Sequence, residues 1–321
     1  MIIKRNLFDK EENYYTVVTV GTFDGVHVGH KKIIDKIVAN ATANDLKSTI
    51  LTFFPHPRMV LQQASDLKLL NTLEEKISIL KETGLDQLII HPFTKEFSRL
   101  TAEEYVKEVL VESINAKKVI IGYDHRFGRN RTATIDYLIK FGEKYKFDVE
   151  QISVEEVNEV SVSSTKIRVA LEEGNIKTAN TFLGYSYMLT GIITKGKGLG
   201  KQIDFPTANI HIKEEYKLIP KIGVYVVKSE YNNKTIYGMM NIGYNPTVNG
   251  EKKTIEVHFL DFDEDLYDKE IRVELLERLR DEKRFDSIED LKKQLIKDKE
   301  ATLAFICLLY TSPSPRDGLL S

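Results

Sequence analysis

At 321 residues the chain is long enough for two hydrophobic cores. Apolar residues make up 42% and charged residues 29%, and Lys+Arg 46 against Asp+Glu 48 leaves a net charge of −2, the profile of an ordinary globular protein. That balance provides no field for a nucleic-acid backbone or an anionic membrane surface, and no apolar run reaches the ~18 residues of a membrane span.

The start of the chain is too acidic, and its apolar part too short, for a secretory signal. A single cysteine, Cys307, excludes an intramolecular disulfide. These features predict a cytoplasmic protein with no nucleic-acid or membrane partner; oligomeric state is not legible. Residues 15–20 are apolar and β-branched and predict a strand. Ile33, Ile34, Ile37 and Val38 then mark one face of a helix. A second strand is predicted at 49–54, ended by the prolines of "PHP" around His56. Thr72 with Glu75, and Thr101 with Glu104, have capping-box spacing and predict helix starts. Short strands are predicted at 87–90 and 119–121, and a helix at 134–145. This βαβα rhythm predicts an α/β fold, a parallel sheet with helices on both faces. Ligands of such sheets lie at the carboxyl ends of strands.

After Gly184 the pattern changes. Strands are predicted at 188–194, 223–231, 235–242, 254–261 and 271–276, with Asn232-Asn233 as a hairpin turn. Successive strands with few helices predict a small antiparallel barrel. A last helix is predicted with Ser287 as its cap and Asp290 in box position, and Ile288, Leu291 and Leu295 on one face. Two domains are expected, at 1–184 and 185–305. Residues 306–321 are set apart as a tail: "CLLYTSPSPRD" is not helical in character and reads either as a disordered Pro/Ser-rich end or as a translated sequencing-library adapter.

Two stretches carry chemistry. In "GTFDGVHVGH", Gly21, Gly25 and Gly29 let the backbone approach a ligand. The helix that follows offers free N–H groups and a positive dipole end, which suits a triphosphate. His27 and His30 can donate to phosphate oxygens. A plain turn with two surface histidines, or a zinc site completed by Asp24, are the other readings. No Gly-Lys-Ser/Thr follows, so this is not a Walker loop. In "GKGLGKQIDFPTAN", Gly196, Gly198 and Gly200 form a flexible loop leading to Thr207 and Asn209. Two apart on an extended segment, these share a face, and their oxygens are of the type magnesium takes beside ATP phosphates. A ligand-free loop is the alternative. Along 254–261, Ile255, Val257 and Phe259 line one face, and Glu256 and His258 the other. Read alone, Glu256 is a carboxylate on a solvated strand face.

These motifs carry a resemblance. "GTFDGVHVGH", "FFPHPRMVL", "IIGYDHRFGRNR" and "VSSTKIRVALEEGNI" resemble, in order and content, the FAD synthetase branch of the nucleotidyltransferase superfamily. "PTAN", "NIGYNPT" and "KTIEVHFLDFDEDLYDKEI" resemble riboflavin kinase. Over roughly its first 305 residues the chain resembles the bacterial bifunctional riboflavin kinase/FAD synthetase family. The resemblance implies a Rossmann-like nucleotidyltransferase domain followed by a riboflavin kinase barrel with a C-terminal helix. It implies phosphorylation of riboflavin by ATP to FMN, then adenylylation of FMN by a second ATP to FAD and pyrophosphate, with magnesium in both.

Position by position, the resemblance makes His27 and His30 stabilisers of the ATP phosphates and Gly21, Phe23, Asp24, Gly25 and Gly29 the nucleotide turn. Ser164, Thr165 and Arg168 become a second phosphate clamp, where the residues alone show a helix start with a solvated Lys–Arg face. Asp124, Phe127 and Arg131 fall near the flavin. In the kinase half, Gly196, Gly198, Gly200 and Thr207 take nucleotide, Thr207 and Asn209 take magnesium, and Glu256 takes the proton of the ribityl hydroxyl. Arg280, Asp281 and Phe285, in "RLRDEKRFDSIEDL", close over the flavin. The chain departs from the family pattern at His125, in "RTAT" after Asn130, and at Asp204, where glycine is usual. The rival readings are a nucleotidyltransferase for another phosphate substrate and a flavin- or nucleotide-binding regulator with one decayed site.

Overall fold

The computed structural model describes residues 1–8, 14–61, 66–122, 126–129, 132–152, 162–196, 200, 203–247 and 250–311, the side chains of 245–252 excepted. The chain forms two compact units, Met1–Ser164 and Thr165–Ser321.

In the first unit, strands β1 (Ile2–Lys4), β2 (Thr16–Val20), β3 (Lys47–Phe53), β4 (Gln87–His91), β5 (Ala116–Gly122) and β6 (Asp148–Ile152) form one sheet. Every pairing is parallel, and the order is β1-β4-β3-β2-β5-β6. Strands β2 and β4 are buried along their whole length, which is why they read as unbroken apolar runs rather than alternating ones. The chain builds outward from β2 in one direction through β3 and β4, then crosses to β5 and β6 on the other side. The carboxyl end of β2 is therefore the topological switch point.

Helix α1 (Val28–Ala43) buries Ile34, Ile37 and Ala41. Short α2 (Pro57–Leu61) follows β3, and both expected capping boxes form: Thr72 with Glu75 opens α3 (Leu73–Lys81), and Thr101 with Glu104 opens α4 (Ala102–Glu104). Helix α4 runs on as a π-helix, Tyr105–Ser113, and α5 (Ile135–Tyr145) precedes β6. The expected strands and helices of this half are all present. Strands β1 and β6 were not legible. One is three residues long, and the other, "DVEQI", is an edge strand whose Glu150 is satisfied by Lys36 at 2.8 Å and Lys118 at 2.6 Å rather than by apolar packing.

The second unit opens with α6 (Ser164–Glu173, whose first residue belongs to the first unit) and α7 (Ile176–Leu183). Strands β7 (Met188–Thr194), β8 (Ala208–His211), β9 (Gly223–Tyr231), β10 (Lys234–Thr247), β11 (Gly250–Phe259) and β12 (Glu270–Arg280) then close an antiparallel barrel in the order β10-β11-β8-β7-β12-β9. Asn232 and Asn233 both take positive φ, +49° and +60°, making the predicted hairpin turn between β9 and β10. Four-residue β8 escaped the strand reading because it is short and opens on a proline-led loop.

The last helix, α8 (Ile288–Thr311), differs from expectation at both ends. Leu291 and Leu295 pack on Ile203, Phe205 and Met239, but Ile288 is 51% exposed. At the far end the helix continues through Cys307, Leu308, Leu309 and Tyr310. These residues were expected to be non-helical; none of them breaks a helix, and the first proline is Pro313.

Candidate active sites

The first site lies at the carboxyl end of β2. Gly21 N–H donates to the Leu51 carbonyl at 3.0 Å, carrying the chain off the sheet. The turn that follows is strained: Phe23 has φ +46°, Val26 +34° and Gly25 +85°. A β-branched residue with positive φ is an outlier, and such strain gathers at ligand clamps. Phe23 is buried, and its ring lies against the space a Cβ on Gly21 would need.

His27 caps α1, its Nδ1 accepting from the His30 N–H at 3.3 Å. That bond leaves the proton of the neutral ring on Nε2, ready to donate. The two imidazoles stack at 3.7 Å and 17°. Gly29 lets the His27 ring lie this close, since a Cβ there would sit 3.3 Å from it. Burial lowers the His27 pKa to about 4 and holds His30 well below its ordinary value, with repulsion from His27 and Lys76 adding to the latter. Both rings are therefore neutral near pH 7. His30 Nδ1 is buried with no hydrogen-bond partner among the described residues, an unmet polar atom of the kind a ligand completes.

Asp24 does not join the histidines. Its carboxylate accepts from Leu70 N–H at 2.9 Å, and among the described residues no three His, Cys, Asp or Glu side chains are placed to hold a metal ion. The zinc reading loses its ligand set. The Asp24 carbonyl accepts from Ser164 Oγ at 2.9 Å, so the start of "STKIR" reaches the glycine turn. Thr165 is exposed and Arg168 half-buried on α6. Phe127 is buried in the core beside Tyr105, ring centroids 5.6 Å apart. Asp124, His125 and Arg131 lie outside the described residues. His56 Nδ1 accepts from Arg58 N–H at 3.1 Å, at the start of α2.

The second site lies on the outer face of the barrel. Ile255, Val257 and Phe259 are buried, as their alternation predicts, which turns Glu256 and His258 outward. Register places Glu256 opposite Asn209 on β8 and Asn241 on β10. Thr207 Oγ1 donates to Glu256 Oε2 at 3.3 Å. Thr207 and Asn209, placed on one face by their spacing, thus lie beside Glu256, which the spacing alone did not bring to them. A Cβ on Gly196 would fall 2.1 Å from Asn209 Nδ2, and one on Gly200 2.1 Å from the Phe205 carbonyl. Both glycines are needed for backbone and amide to meet; Gly198 lies outside the described residues. Two neutral oxygens beside a carboxylate suit a hard cation whose remaining ligands are phosphate and water.

Several neighbours were not legible. His258 Nδ1 donates to the Pro206 carbonyl at 2.8 Å, pinning the peptide just before Thr207. Asp204 has φ +64°, which an aspartate tolerates where glycine is usual. Lys292 of α8 bonds its carboxylate at 2.8 Å and holds its pKa below the usual range. Arg280 grips Asp298 of α8 with two bonds, 2.9 and 2.7 Å, and Asp298 is 3% exposed. Asp281 accepts from Arg278 at 2.6 Å, and Phe285 is half-buried under Lys283. The pairings of His258 with Pro206, Lys292 with Asp204 and Arg280 with Asp298 follow no spacing rule, since their partners come from segments far apart in the sequence.

The FAD synthetase family model matches residues 9–166, and the riboflavin kinase model residues 183–306. A bifunctional riboflavin kinase/FMN adenylyltransferase of Listeria monocytogenes is 37% identical over 91% of this chain and 93% of its own. The protein of that description from Bacillus subtilis is 33% identical over 92% and 94%. A solved chain described as a macrolide-efflux protein from Streptococcus pneumoniae superposes with a TM-score of 0.83 at 30% identity, covering 94% of this chain and 98% of that one. Its description names a transport process; among the described residues here, no helix is long and apolar enough to cross a membrane. With both domain models matched in order and relatives aligned almost end to end, the chain belongs to the bifunctional riboflavin kinase/FMN adenylyltransferase family.

Proposed function

We propose that this enzyme of FAD biosynthesis makes FMN on the barrel and FAD at the glycine–histidine turn, with the functional boundary near Gly184 and both reactions in the cytoplasm. The observation that carries the reading is the stacked, neutral imidazole pair at the switch point of a parallel sheet, joined there by Ser164. In the first half, an FMN phosphate oxygen attacks the α-phosphorus of ATP, the bond to the β-phosphate bridge breaks, and pyrophosphate leaves. His27 donates from Nε2 and His30 lies beside it, while the N-terminus of α1 faces the same charge. Ser164 holds the turn from the start of α6 through its bond to the Asp24 carbonyl. Phe127 forms the floor on the flavin side, with Asp124 and Arg131 near it.

In the second half, Glu256 accepts the proton of the ribityl hydroxyl as that oxygen attacks the γ-phosphorus of ATP and ADP leaves. Thr207 and Asn209 would hold magnesium, which, when bound, neutralises phosphate charge. Gly196, Gly198 and Gly200 give the phosphates room. Arg280 acts through Asp298 by holding α8, and Asp281 and Phe285 follow it toward the flavin. Lys292 neutralises Asp204, so the departure from glycine there is compensated rather than harmful.

Incubation with riboflavin, ATP and magnesium, followed by chromatography, tests the reading. FAD is the expected product. FMN alone would remove the adenylyl-transfer half, and neither product would leave a flavin-binding regulator.

A further inference from the structure

Beneath the glycine turn sits a charge that the reaction above does not use. Lys76, on α3 just past the Thr72–Glu75 box, is 4% exposed. Its ammonium donates to the Thr22 carbonyl at 2.8 Å, and Thr52 Oγ1 donates to the same oxygen at 3.2 Å. Thr22 stands between Gly21 and Phe23, in the middle of the turn. Asp24, 2% exposed, attracts the ammonium from the turn itself, and His30 is repelled by it from α1. Burial lowers the Lys76 pKa against the pull of Asp24.

An ammonium has three donors, and the Thr22 carbonyl takes one. A cation held this deep is costly even with Asp24 near it, and an apolar side chain would fill the space more cheaply. An anion seated on the turn would supply what is missing.

We infer that Lys76 is a positioning residue for adenylyl transfer: it pins the Thr22 carbonyl from below and sets a buried positive charge against the polyphosphate on the turn. This rests on the reading of that turn as the polyphosphate site.

The reverse reaction, FAD and pyrophosphate to FMN and ATP, isolates the site in the full chain, because riboflavin phosphorylation uses neither substrate. Lys76→Met is expected to raise KM for pyrophosphate about 10-fold and leave KM for FAD within about 2-fold, and Lys76→Arg to restore most of the loss. In the unsubstituted protein, kcat/KM for pyrophosphate falls at alkaline pH as Lys76 loses its proton. In Lys76→Arg that limb moves up by about one pH unit or more, because arginine stays charged. Should Lys76→Met fail to fold, the Lys76→Arg profile decides alone. Equal rises in both KM values, or coincident alkaline limbs, would overturn the inference. His27→Ala serves as the control. If it too leaves pyrophosphate kinetics unchanged, the polyphosphate reading of the turn fails; if it impairs them while Lys76→Met behaves as unsubstituted, only the role of Lys76 fails.

Discussion

At the scale of single residues, burial sets the chemistry. The folded-state pKa of His27 is about 4, against 6.5 in the unfolded chain, because its ring is 6% exposed. Between those values the unfolded chain binds the proton and the folded chain does not. The contribution to stability is complete above pH 6.5 and is lost as pH falls toward 4, by roughly 3 kcal/mol for a shift of this size. Urea midpoints from circular dichroism at pH 7 and pH 4.5 should therefore fall less in His27→Gln than in the unsubstituted protein; equal falls would show that the ring does not carry this linkage. On the barrel, Gly196→Ala would drive a methyl group against the Asn209 amide. Riboflavin phosphorylation should drop at least about 10-fold, as a displaced ligand group costs more than 1.4 kcal/mol in the transition state. FMN adenylylation by the same variant, assayed alongside, should hold.

Elements explain what the sequence could and could not announce. The glycine–histidine turn, both capping boxes, the Asn-Asn hairpin and the outward Glu256 were all legible, because each depends on local spacing. Lys76 was not: a lysine after a capping box reads as a surface residue, and its burial depends on a turn some fifty positions away. The grip of Arg280 on Asp298 was hidden for the same reason. That pair, with Leu291 and Leu295 on Ile203 and Phe205 and Lys292 on Asp204, makes α8 the buttress of the loop that delivers Thr207. Asp298→Ala leaves a guanidinium without its carboxylate and should cost about 3 kcal/mol, seen as a lowered melting temperature. KM for riboflavin should rise with it. An unchanged melting temperature and KM would remove α8 from the site.

For the whole molecule, the two folds have two different kinds of legibility. The parallel sheet shows itself in long apolar strands, whereas the barrel shows itself in alternation and hairpin turns. The helices α6 and α7 pack with the barrel unit, Asn180 donating to the Leu275 carbonyl at 2.8 Å. The shift in strand pattern near Gly184 could not reveal that allegiance. His27 and Glu256, the groups at the centre of the two proposed chemistries, belong to different units, so the two should fail independently. Assaying both reactions in His27→Ala and in Glu256→Ala tests this most directly. The account predicts that His27→Ala loses about 10²-fold or more in FMN adenylylation while still phosphorylating riboflavin, and that Glu256→Ala does the opposite, losing about 10²–10⁴-fold in phosphorylation. Equal loss of both activities from either substitution would contradict it.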